Sequence, residues 1–409
     1  MATRASLLLR IGGLVAIVAV VIVLSVISPK FFNVEYDNAA ARDNKKQLDV
    51  PTTTPVKVAD KSSIVPTHIK TPESVRAIYM SQCVVGTRNF RDRLVKLVDE
   101  TELNSIIIDI KDFTGYISFT TDNPKLSSAV SDDCGAVDML EFIDSLHKKD
   151  IYVIGRITVF QDPRMSKLRP DLAVRKLSDG GVWADHKGLN FIDVGAREHW
   201  DFIATLAEES YKIGFDEINF DYIRFPSDGN MKDTDYTLSR GKTRPEALEE
   251  FFVYLSDRLK PQGIPISADL FGMVTTNYDD LGIGQVLERA LPHFDFVAPM
   301  VYPSHYPKNF NGWPDPNKVP YELIKFVMTS AVDRANAMDA NQPTTTPVRT
   351  TDTYKKLRPW LQDFDYGGTY DTTEVKAQIQ ATYDSGLNSW MLWAPSNIYT
   401  AGALQSEAK

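Results

Sequence analysis

Cysteine is nearly absent: Cys83 and Cys134 are the only two in 409 residues. Two are too few for a disulfide-built scaffold and lack the paired spacing of a structural zinc site. Two readings stay open for them, one disulfide in an oxidising compartment or two free thiols. The six histidines are scattered, with no HExxH arrangement and no close His/Asp pair to hold a metal, so no metal and no cofactor is expected. A G-x-S-x-G elbow and a glycine-rich nucleotide loop are also missing. The formal net charge of -9 is spread along the chain, and no Lys/Arg cluster is interleaved with aromatics, which argues against nucleic acid as a partner. Acid/base chemistry without a metal is what these absences leave.

One long apolar run exists. Residues 11–27 (IGGLVAIVAVVIVLSVI) carry no charge, follow Arg4 and Arg10, and span about 26 Å as a helix. A transmembrane signal anchor is expected there, with residues 1–10 cytoplasmic and all that follows extracytoplasmic. A cleaved signal peptide is the competing reading, but the run ends in VISPKFF without a small-x-small site. Residues 28–71 are polar and rich in Pro, Thr, Lys and Asp, and read as a linker.

From residue 72 to 400, β-rich runs alternate with amphipathic helical patterns. Eight strand-like runs occur: 75–81 (VRAIYMS), 105–112 (SIIIDIKD), 151–159 (IYVIGRITV), 217–225 (EINFDYIRF), 265–272 (PISADLFG), 294–302 (FDFVAPMVY), 357–364 (LRPWLQDF) and 388–395 (NSWMLWAP). Eight strands with helices between them spell an α/β fold, the (β/α)8 TIM barrel. A doubly wound open sheet is the alternative, yet no phosphate turn follows the first strand. Residues 401–409 read as a tail.

In such barrels catalytic groups come from the C-terminal ends of several strands. Strand-side alternation puts Glu217, Asn219 and Asp221 on one face, a polar stripe where a core strand should be apolar. Asp109 and Lys111 share a face, as do Ser267 and Asp269, while Asp112 and Asp363 fall on the opposite faces of their strands. Asp162, Tyr302, Gln362 and Trp393 also stand at strand ends. Carboxylates on different strands around one mouth suit glycosidic cleavage, in which one protonates the leaving oxygen and another attacks or activates water. Asp221 is the expected nucleophile or base, with Arg224 keeping it ionised, and Asp269 the expected acid; Glu217 either competes with it or, near the start of its strand, is a buried structural acid. Lys111 is a candidate partner of Asp109. Asp109, Lys111, Asp162, Arg224, Tyr302, Gln362 and Trp393 are expected to bind substrate, a polysaccharide or oligosaccharide. Tyr306, Trp313 and Trp360 join Tyr302 and Trp393 as flat side chains on which sugar rings stack.

The segments FDEINFDYIRFPSDG, LRPWLQDF and SWMLWAPSN together resemble the bacterial glycoside hydrolase domain family marked by a YIRFP strand. That resemblance covers residues 71–400 and implies a glycosidase-like barrel, often anchored outside the membrane. The fourth strand is also similar to that of chitinase-type barrels, whose D-x-x-D-x-D-x-E pattern falls on Asp216, Asn219, Asp221 and Ile223. The chain departs at Asn219 and Ile223, so that mechanism does not transfer. The placement of Asp221 and Asp269 is similar to amylase-like barrels, in which an Asp on strand four is paired with an acid on strand five. The expectation is a membrane-anchored glycoside hydrolase acting on an envelope or extracellular polysaccharide. A tethered barrel that holds glycan without turnover is its rival.

Overall fold

The computed structural model describes residues 64–341 and 351–406. Eight parallel strands close into a barrel: β1 (Arg76–Met80), β2 (Ser105–Lys111), β3 (Tyr152–Thr158), β4 (Glu217–Asp221), β5 (Ile266–Phe271), β6 (Phe296–Met300), β7 (Trp360–Gln362) and β8 (Trp390–Trp393). Each lies within one of the eight runs read from the sequence. Helices follow the first seven strands in turn: α1 (Arg88–Asp99), α2 (Met139–His147), α3 (Arg197–Lys212), α4 (Arg244–Leu259), α5 (Leu287–Ala290), α6 (Pro320–Ala340) and α7 (Thr372–Asp384). Capping boxes fix the starts of two of them, Thr243 with Glu246 at α4 and Asp371 with Glu374 at α7.

The core has two compartments because each barrel strand is covered on both faces. Ile106, Ile108 and Ile110 of β2 pack outward against the helices with Ile143, Ile203 and Leu255. The barrel interior holds Ala77, Tyr79, Ile107, Tyr152, Ile154, Ala298, Trp360 and Met391. Period-2 alternation sends neighbouring residues to opposite compartments.

Two boundaries differ from expectation. Residues 64–71, expected as the end of a linker, are docked on the barrel: the Ile69 N–H donates to Asp216 at 2.7 Å, and Thr71 Oγ1 lies 2.9 Å from the Tyr152 hydroxyl. The expected tail also joins the fold, since Ser406 bridges Thr101 and the Glu102 N–H donates to the Gln405 carbonyl at 2.9 Å. Among the described residues no helix is long and apolar enough to cross a membrane. The run at 11–27, expected as the anchor, lies outside the described residues. Cys83 and Cys134 form a disulfide with Cα atoms 4.5 Å apart, tying the turn after β1 to the long connection between β2 and α2.

Candidate active site

Arg156 organises the barrel interior. On β3, alternation aims Tyr152, Ile154 and Arg156 inward, and a guanidinium there needs carboxylates to offset its desolvation. The neighbouring strands supply three. Nη1 donates to Asp109 of β2 at 2.6 Å, Nη2 and Nε both donate to Asp221 of β4, and Nε stands 3.7 Å from Asp269 of β5.

Each carboxylate has a second partner. The Tyr79 hydroxyl donates to Asp109 Oδ2 at 2.5 Å. Asp269 Oδ1 accepts from Asn219 Nδ2 at 2.9 Å and from Trp360 Nε1 at 2.8 Å. Asp221 Oδ1 accepts at 2.5 Å from the N–H of the next residue, Tyr222, whose φ is +52°. A bulky side chain rarely adopts that left-handed conformation, and here it turns the backbone N–H back onto the carboxylate. The same turn ends β4 at Asp221, where the sequence alone suggested extension to Phe225.

Burial sets the proton affinities of these groups. Asp269, 1% exposed, is pushed up to about 8, first by burial and then by the charge of Asp221, with Arg156 opposing. Asp109 is raised to about 6 by burial, again with Arg156 opposing. Tyr79 is driven well above the usual tyrosine range by burial and by Asp109.

An aromatic wall closes one side. Trp393 stacks on Tyr79 with centroids 4.2 Å apart, meets Trp360 edge-on at 5.6 Å, and lies 5.1 Å from the Arg156 guanidinium. Its Nε1 is buried without a hydrogen-bond partner in a ring that is itself partly exposed. A hydroxyl of a bound ligand would satisfy it.

Six expected site residues are elsewhere, or do something else. Glu217, expected as a competing catalytic acid, lies at the start of β4, fully buried, 3.0 Å from Arg358 and 3.1 Å from the Tyr152 hydroxyl. Its carboxylate pairs within the fold, deep because it opens its strand. Lys111 does not neutralise Asp109. The β2–β3 register shifts between Asp109 and Lys111, which breaks the alternation, and Lys111 pairs with Asp162 at 2.9 Å with both side chains buried. That pair belongs to the fold and not to a substrate surface. Gln362 is buried and ties the chain after β6 to that after β7, through the Ser304 N–H at 3.1 Å and the Phe364 carbonyl at 3.0 Å. Tyr302 is buried beside Phe364 in the interior cluster. Arg224 does not meet Asp221; the left-handed turn at Tyr222 sends it to the Phe225 carbonyl at 3.0 Å and Ser227 at 3.2 Å. Arg156, and not Arg224, is the cation paired with Asp221. Among the described residues no group of His, Cys, Asp and Glu is arranged to hold a metal ion.

Sequence reasoning missed Arg156, Tyr79 and the donor roles of Asn219 and Trp360. The signal for Arg156 was present: an arginine inside IYVIGRITV, a run too apolar to be an exposed edge, requires buried acids opposite it.

The model of a family described as "Putative glycosyl hydrolase domain" matches residues 77–399. No curated protein matches the chain. Among solved structures, a hypothetical protein from Ruminiclostridium thermocellum is 31% identical over 50% of this chain and 98% of its own, with a TM-score of 0.43. The PgaB (BpsB) glycoside hydrolase domain from Bordetella bronchiseptica is 14% identical, covers 79% of this chain and 95% of its own, and has a TM-score of 0.55. The alpha-L-fucosidase isoenzyme 2 from Paenibacillus thiaminolyticus is 11% identical over 81% of this chain and 48% of its own, with a TM-score of 0.53. At such identities the last two speak for the barrel fold alone.

Proposed function

Because the chain belongs to this glycosyl hydrolase family and is at that level a glycosidase, we propose that it cleaves O-glycosidic bonds of an envelope or extracellular polysaccharide, with Asp269 as acid and Asp221 as nucleophile. The observation that carries the reading is the inequality of two neighbouring carboxyls. Asp269 is raised to about 8 and so keeps its proton at neutral pH, while Asp221 is ion-paired with Arg156. Acid and nucleophile are separated in this way when environments push two carboxyls apart.

Asp269 gives its proton to the glycosidic oxygen, and the C1–O bond breaks with its electron pair leaving on the alcohol. An Asp221 oxygen bonds to C1. Water, giving a proton back to Asp269, then displaces Asp221 and releases the sugar. This double displacement retains the anomeric configuration and fits carboxyls roughly 5 to 5.5 Å apart. In support, Phe220 and Ala268 are partners in the β4–β5 register, so the residues that follow them, Asp221 and Asp269, stand side by side on strands about 4.8 Å apart. Trp393 and Tyr79 supply the flat wall for the sugar ring.

The reading also has residues 11–27 as an uncleaved single-pass anchor and the barrel outside the cytoplasm. Arg4 and Arg10 before the apolar run support that orientation, and so does the Cys83–Cys134 disulfide, a bond that persists in oxidising compartments.

One observation favours a second reading, a tethered barrel that holds glycan without turnover: Asp221 is 3% exposed and capped by a guanidinium. Release of reducing ends from a panel of envelope polysaccharides, by the full-length protein beside Asp221→Asn, separates the two. Release that falls by about 10² in the variant supports the hydrolase. Binding without release in both proteins supports the scaffold.

A further inference from the structure

Two surface cavities lie away from the barrel mouth. One, of about 590 Å³, lies between the loop after β5 and the start of α4, and is lined by Tyr278, Asp279, Lys242, Arg244 and Arg289. The other, of about 650 Å³, is lined by Arg197, Glu249, Glu250 and Tyr254 along α3 and α4. Ion pairs join them: Lys242 to Glu250 at 2.6 Å, Arg289 to Glu249 at 2.5 Å, and Arg197 to Glu250 at 2.7 Å. These ion-paired side chains stand between the two cavities and line a polar groove beside α4.

Tyr278 stands at one end of the groove and is 76% exposed. Its ring is not loose. The Arg334 guanidinium lies 4.3 Å from the ring centroid, and Arg334 is itself buried, held by Glu288 at 2.5 Å and by the Val274 and Asn277 carbonyls at 2.5 and 2.9 Å. One face of the ring is thus fixed by a buried cation, and the other is open to water. An aromatic held on one face and free on the other loses less rotamer freedom on binding than one with water on both faces.

We propose that this groove is a carbohydrate-binding surface distinct from the mouth, holding a neutral polysaccharide with one sugar ring stacked on Tyr278. The proposal rests on the glycosidase reading for its choice of ligand class. Sugar C–H faces stack on flat rings, and hydroxyls both donate and accept hydrogen bonds. The groove offers both kinds of partner, with lysine and arginine donors next to aspartate and glutamate acceptors. A polyanion would meet Glu249, Glu250 and Asp279, and a polycation would meet Lys242, Arg244 and Arg289; a neutral polyol meets no such repulsion. The loop carrying Tyr278 leaves the end of β5, the strand that bears Asp269, so one long polymer has both the groove and the mouth on the same side of the barrel to engage.

The test is electrophoresis of the full-length chain, in mild detergent, through native gels containing glycol chitin, arabinoxylan or mixed-linkage β-glucan. The parent and Asp221→Asn are expected to be retarded by at least one polymer. Tyr278→Ala is expected to raise the apparent Kd about tenfold, and Tyr278→Phe, which keeps the platform, to stay within about twofold. Release of reducing ends from an oligosaccharide too short to reach both places stays unchanged in Tyr278→Ala. Retardation of Tyr278→Ala equal to that of the parent, or no retardation of the parent by any polymer, overturns the proposal. Retardation that depends on Tyr278 but comes with no release from any glycan leaves the groove standing and overturns the glycosidase reading instead.

Discussion

Asp221 and Asp269 reach the same nitrogen: Arg156 Nε lies 3.1 Å from one carboxylate and 3.7 Å from the other. Their facing oxygens are therefore no further apart than the sum of those distances. They do not share the nitrogen equally, because Arg156 Nη2 also donates to Asp221, while Asp269 accepts instead from Asn219 and Trp360. Four strands, β3, β4, β5 and β7, contribute to this arrangement, which is why the groups were scattered in the sequence.

Arg156→Met removes the cation from three buried acids. Truncating one partner of a buried ion pair costs about 3–5 kcal/mol. Chemical denaturation is expected to show a loss at least of that order, and Arg156→Lys is expected to recover part of it.

The pH dependence of stability follows from the raised carboxyls. An unfolded aspartate titrates near 3.9, so between about pH 4 and pH 8 the folded chain binds more protons at Asp269 than the unfolded chain does. The stability linked to this group is complete at low pH and is lost as pH rises towards 8. Asp109 adds the same trend up to about pH 6. Denaturation midpoints of Asp269→Asn are expected to fall less steeply over this range than those of the parent. A parallel decline in both proteins would remove Asp269 as the titrating group.

Activity is expected to decline above about pH 8 as Asp269 loses the proton it donates. The kcat/KM profile on whichever polysaccharide is cleaved gives that limb directly.

The Cys83–Cys134 bond joins residues 51 apart in the sequence. Replacing both cysteines by serine is expected to lower stability by about 2–4 kcal/mol and to leave kcat/KM unchanged in the folded protein. Thermal unfolding and steady-state rates together check both parts.

The barrel was legible because each strand is a short β-branched or aromatic run and most of them are followed by a helical period. Asp109, Asp221 and Asp269 were legible for a related reason: alternation aims all three inward. Lys111 was misread because the shift between Asp109 and Lys111 in the β2–β3 ladder breaks that alternation, and nothing local in SIIIDIKD marks it. Arg224 was misread because Tyr222 adopts a positive φ that no propensity predicts for a tyrosine. Arg156 was missed because its partners are set by cross-strand register, with Asp109 opposite it on β2 and Asn219 on β4.

The central claim is that Asp269 is the proton donor and Glu217 only a structural acid. The most direct test compares release of reducing ends by Asp269→Asn and Glu217→Gln at equal concentrations of folded protein. Asp269→Asn is expected to lose about 10² or more in kcat, while Glu217→Gln, unfolding more easily because Arg358 is left unpaired, keeps kcat within about threefold of the parent. An Asp269→Asn protein as active as the parent, or a folded Glu217→Gln protein as inactive as Asp269→Asn, contradicts the account.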